Sequence, residues 1–74
     1  MSRLIRLDET GHTTLAEWSV EYPAGFDEAA AAFRLELDRG YFGIASGPDG
    51  QAEQVRELPF EAATVILRRP IAGG

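Results

Sequence analysis

The sequence predicts an α+β fold: a mixed sheet of about five strands packed on one helix. Three stretches carry that prediction. Residues 13–22 alternate apolar with polar, residues 26–39 form an alanine-rich amphipathic segment closed by Gly40, and residues 63–67 are apolar on successive positions. A period of two marks a half-buried strand, a period near 3.6 marks a helix, and a short unbroken apolar run marks a strand in the middle of a sheet.

Taken in order, residues 3–7 are a short apolar and basic run, and Asp8-Glu9-Thr10-Gly11-His12 supplies turn residues. Residues 13–22 then place Ala16, Trp18, Val20 and Tyr22 on one face and Glu17, Ser19 and Glu21 on the other, so the two runs read as an N-terminal β-hairpin. Pro23 and Gly25 break the strand, because proline has no N–H to give a ladder. In the helix, Asp27 and Glu28 favour the positive end of the dipole and Gly40 is the stop. Phe26, Ala30, Phe33 and Leu37 fall on one face, expected to pack on the sheet. The acid pairs Asp27 with Glu28, and Glu36 with Asp38, are expected on the helix surface.

Residues 41–46 have strand composition, and Gly47-Pro48-Asp49-Gly50 is a tight turn. Residues 51–58 return as a polar strand suited to an exposed position, stopped by Pro59. The apolar run 63–67 completes a β-β-α-β-β-β order, with the last strand central, buried on both faces and parallel to the first, across the helical crossover. Residues 1–69 make one domain and 70–74 a tail expected to be flexible.

Composition narrows the function. Seventy-four residues suit one small domain, 45% apolar and 26% charged. A chain of this length buries only about 60% of the surface that it exposes when unfolded. There is no cysteine, which excludes thiolate chemistry, and seven basic against twelve acidic residues give a net charge of −5. An acidic balance disfavours nucleic acid or anionic membrane as partner. All seven basic residues are arginine and lysine is absent; a GC-rich genome is one explanation and a use in function is another. Neither an apolar leader nor a run approaching about 18 apolar residues is found, so a cytoplasmic location is expected.

Catalytic groups are sparse. His12 is a lone histidine in a predicted turn, without further ligands or an orienting partner. Ser19 and Ser46 lack a hydrolase context, and the Gly47 turn has neither the lysine nor the following helix of a phosphate loop. The expectation is a protein that is not an enzyme, with no catalytic residues, no metal and no cofactor of its own.

The end of the sequence is distinctive. After the last strand come Arg68 and Arg69, then Pro70, Ile71, Ala72, Gly73 and Gly74. A carboxylate that is activated inside a partner must thread a narrow channel, expose its acyl carbon and adopt backbone angles that a side chain forbids; glycine meets all three needs. Pro70 stiffens the root of such a tail, and the two arginines suit acidic groups at a channel mouth.

This ending and the element order together resemble the β-grasp, ubiquitin-like sulfur carriers of the ThiS and MoaD type, which finish in Pro-aliphatic-small-Gly-Gly. The Leu67-Arg68-Arg69 to Gly-Gly segment is also similar to the end of ubiquitin. Upstream, where sulfur carriers show an Asp-Gly-Asp-like turn, this sequence has Leu58-Pro59-Phe60-Glu61-Ala62. The resemblance implies a carrier whose Gly74 carboxylate is adenylated by an E1-like enzyme using ATP and becomes a thiocarboxylate or thioester. Gly73, Ala72, Ile71, Pro70, Arg69 and Arg68 would form the recognised tail, and a sulfur-accepting synthase or conjugation target would be the second partner. Two alternatives stay open: a ubiquitin-like protein modifier, and a β-grasp accessory subunit with an incidental Gly-Gly end.

Overall fold

The computed structural model of the protein describes residues 1–47 and 49–69. Its elements are β1 (Ser2–Asp8), β2 (Gly11–Trp18), α1 (Ala24–Asp38), β3 (Phe42–Ser46), β4 (Ala52–Val55) and β5 (Thr64–Arg68). They form a five-stranded mixed sheet in the order β2-β1-β5-β3-β4. β5 is central and parallel to β1, as the sequence predicts, and its other neighbour β3 runs antiparallel to it. Among the described residues there is a single helix, and it covers one face of that sheet.

The hairpin turns where the Asp8 carboxylate accepts from the Thr10 N–H at 2.9 Å and the Thr10 hydroxyl at 2.6 Å. His12, expected in the turn, is instead an exposed residue of β2 paired with Leu7. β2 also ends earlier than predicted. Ala16 and Trp18 do share the helix-facing side, but the chain reverses after Trp18 through a turn in which the Tyr22 N–H donates to the Ser19 carbonyl at 3.1 Å and to its Oγ at 3.0 Å. Val20 and Tyr22 are therefore 79% and 48% exposed. The alternation in sequence runs on past Trp18, but the path to the helix requires a reversal there.

α1 begins two residues before the predicted start, with Pro23 as N-cap at φ −69. Proline pre-sets the helical φ and gives up an N–H that would be unpaired there in any case. At the other end the Tyr41 N–H donates to the Glu36 carbonyl and the Gly40 N–H to the Leu37 carbonyl, both at 3.0 Å, with Gly40 at φ +99. This is a Schellman closure, and the left-handed residue that it needs is the glycine at the predicted stop. The buried face runs through Gly25, Ala29, Phe33 and Glu36. The predicted stripe is thus offset: Phe26 and Leu37 flank the seam, and Ala30 sits at its edge.

The core consists of Leu4, Trp18, Ala29, Phe33, Ala45, Ala62, Val65 and Leu67. Gly43 of β3 lies under Phe33, and a Cβ there would stand 2.5 Å from the ring, so the lack of a side chain lets the helix approach. The Trp18 Nε1–H donates to the Phe60 carbonyl at 2.9 Å. Phe26 meets both Trp18 and Phe60 edge to face, with ring centroids 5.6 and 5.1 Å apart. These contacts secure the long β4–β5 connection, where the strand predicted over residues 51–58 has already ended at Val55. Val65 and Leu67 are fully buried, whereas Ile66 between them faces the open side and is only half-buried, so the expected burial of β5 on both faces is corrected to one. Among the described residues no helix is long and apolar enough to cross a membrane.

Candidate functional site

The residues read from sequence as a recognition tail fall partly within the described chain. Arg68 closes β5, paired with Phe42 of β3, and Arg69 follows it. Pro70, Ile71, Ala72, Gly73 and Gly74 lie outside the described residues, as does Pro48 of the β3–β4 turn.

Strand alternation sends the two arginines to opposite sides of the sheet. Leu67 faces the helix, so Arg68 stands on the open face and Arg69 returns to the helix side. There the Arg69 guanidinium lies over the Tyr41 ring, 5.6 Å from its centroid. Tyr41 is the residue that closes α1, and beside this closure is a charge cluster that the sequence reading did not anticipate.

At its centre is Glu36. Expected on the helix surface, it is only 2% exposed. Its Oε2 accepts from the Arg6 Nη1 at 2.7 Å and its Oε1 from the Arg39 Nη1 at 3.0 Å. Burying a carboxylate is costly unless it is paired and hydrogen-bonded, and here each oxygen has an arginine. The hydrogen bond that it donates to Glu36 is the main reason that Arg6 holds its proton more tightly than an ordinary arginine. The Arg6 Nε, buried and without a hydrogen bond among the described residues, lies 3.4 Å from an Asp8 oxygen, a Coulombic contact only. The Asp8 carboxyl is held below the usual aspartate range, chiefly by the hydroxyl and N–H of Thr10 and less by Arg6.

A signal for this cluster was present in the sequence. Glu36 follows Ala29 and Phe33 at helical spacing, and Arg6 follows Leu4 at strand spacing, so each charge continues an apolar face. Opposite charges at such positions on two packed elements are candidates for a buried pair.

The open face carries a second feature. Ile5, Ile66 and Ile44 stand in one cross-strand row over β1, β5 and β3, with Thr14 and Gln54 at its ends. One step toward the end of β5, Leu7 and Phe42 lie on the same face with Arg68 between them. All five apolar residues are half-buried, and among the described residues no element covers them.

Elsewhere, a shallow cleft of about 330 Å³ between the β3–β4 turn and the segment before β5 is lined by Ser46, Asp49, Gln51, Glu53 and Glu61 among others. Its carboxylates do not converge: among the described residues no three His, Asp or Glu side chains are grouped to hold one metal ion. No family model, no curated protein and no solved structure matches the chain.

Proposed function

We propose that this protein is a cytoplasmic β-grasp, ubiquitin-like sulfur carrier with Gly74 as its working end. An E1-like enzyme takes the Gly74 carboxylate, one of whose oxygens attacks the α-phosphorus of ATP and displaces pyrophosphate. Hydrosulfide then displaces AMP from the acyl carbon to give the thiocarboxylate, which delivers its sulfur to an acceptor synthase and returns to the carboxylate as water adds at the acyl carbon. The catalytic groups and the nucleotide belong to the partner. This chain contributes a stable body, a tail of Arg68, Arg69, Pro70, Ile71, Ala72, Gly73 and Gly74, and an acyl carbon that no side chain shields.

The observation that carries the reading is the position of the strand that leads into the ending. The central strand β5, held on both sides by β1 and β3, ends at Arg68, and in sequence Arg69-Pro70-Ile71-Ala72-Gly73-Gly74 follows it. A tail rooted in the most firmly held strand can be drawn into a partner without unravelling the body. The uncovered Ile5, Ile66 and Ile44 row favours the second reading, an accessory subunit that docks through this face, since an apolar patch without a cover is a common mark of a partner surface. A protein modifier would use the same tail.

Intact mass measurement of the protein recovered from its own cells separates the three, with a Gly73-Gly74 deletion as control, and also reads which residue is the mature terminus. Replacement of one terminal oxygen by sulfur is expected. A covalent adduct to another protein would establish the modifier instead. An unmodified end, with full function in the deletion variant, would leave the accessory subunit. The absence of lysine adds a second check: lysines introduced on the surface should be acylated by the activated end, and if none is, the absence serves no protective purpose.

A further inference from the structure

We infer that Tyr41 is a positioning residue for the tail root: its ring holds the Arg69 guanidinium while leaving that group's N–H donors available to a carboxylate of the partner. The inference rests on the carrier reading for its purpose, though not for its physical content.

The β3–β5 ladder ends at the pair Phe42 and Arg68. Continued by one step it sets Tyr41 against Arg69, both on the helix side, where the guanidinium carbon is 5.6 Å from the ring centroid. That lies within the range of a cation–π attraction. Tyr41 is itself anchored, because its N–H closes α1 on the Glu36 carbonyl at 3.0 Å. Glu36 in turn ties the helix to Arg6 of β1 and to Arg39. The direction in which the chain leaves β5 is thus tied to β1, α1 and β3 together.

The chemistry of the clamp matters as much as its position. Each oxygen of Glu36 is already engaged by another arginine, and Arg69 makes no ion pair among the described residues. An aromatic face attracts the guanidinium without offering a lone-pair acceptor, so the planar donor fork that matches a carboxylate is oriented but not saturated. With Arg68 on the opposite side of the sheet, the two basic residues address two separate acidic points that straddle the tail, which selects a partner whose channel mouth carries carboxylates on both sides.

Trypsin gives a direct test on the full chain, which has no lysine and is therefore cut only after arginine. Cleavage between Arg68 and Arg69 in the native protein should rise about two- to five-fold in Tyr41→Leu, the range that corresponds to losing an exposed cation–π contact. Tyr41→Phe, which keeps the ring, should match the wild-type rate, with the thermal midpoint of Tyr41→Phe unchanged. A wild-type rate in folded Tyr41→Leu, or an equal rise in Tyr41→Phe, would overturn the clamp. Should Tyr41→Leu not fold, NMR of the wild-type chain decides: contacts between the Arg69 Cδ protons and the Tyr41 ring protons are expected, and their absence overturns it. Titration with a hexaglutamate peptide should shift the Arg69 Nε–H signal more than that of Arg39, which Glu36 already engages; equal shifts would refute the claim of available donors. None of these readouts involves adenylation. A clamp seen in them together with an unmodified Gly74 in cells would defeat the carrier reading alone.

Discussion

The two faces of the sheet are built from similar residues and experience different environments. On the helix side Leu4, Val65 and Leu67 are fully buried beneath Phe33 and Trp18. On the open side, Ile5 and Ile66 come from the same two strands at alternate positions, Ile44 comes from the adjoining β3, and all three remain half-buried. Neighbours in the chain thus differ in burial because one helix covers one face. The difference separates two roles for apolar side chains: those on the covered face hold the fold, and those on the open face are available to a partner.

The comparison can be broken most severely from the covered side. Trp18→Ala removes the largest core side chain and the hydrogen bond to Phe60, and should cost about 3–5 kcal/mol, close to the whole stability of a domain this small. Urea denaturation would show a lost or greatly reduced midpoint. Glu36→Ala comes next, at roughly 2–3 kcal/mol, since it takes away two hydrogen bonds to charged partners and leaves Arg6 with only its Coulombic contact to Asp8. A cost no larger than that of an exposed helix substitution would mean that the cluster is solvated. Ile66→Thr on the open face should cost only about 1 kcal/mol while reducing binding to whatever protein docks there, and a loss matching that of a core substitution would remove the distinction between the faces. Arg3→Ala breaks an exposed pair with Glu17, 3.2 Å apart on the same open face, and should change stability by less than about 1 kcal/mol.

A further prediction concerns pH and the helix side. Asp8 is held below its unfolded value, so its contribution is present at pH above the ordinary aspartate range and is lost as pH falls through the lower, native value. Asp8→Asn should flatten the acid limb of stability measured between neutral pH and about pH 2. An unchanged acid limb would show that Thr10 does not hold the carboxylate in solution.

Much of this was legible in the sequence, for reasons particular to each element. The unbroken apolar run 63–67 marked a central strand, the glycine after residue 39 marked the helix stop, and a helix between hairpin and last strand implied the parallel β1–β5 pairing. The errors arose where a local pattern outlasted its structural context. Val20 and Tyr22 continue the alternation of β2 although the chain has already turned, and Ile66 belongs to an apolar run although no described element packs on its side. Glu36 was misread because a charge within an amphipathic helix is ordinarily solvated, and its burial depends on Arg6, thirty residues away.

The sequence by itself determined the order and type of the elements, since hydrophobic period, proline and glycine act over a few residues at a time. Only the tertiary structure decided which side of the sheet the helix would cover, which of the two arginines would share that side with Tyr41, and that Glu36 would meet Arg6. Those outcomes depend on which surfaces meet after the chain has closed on itself, and no local pattern contains that information.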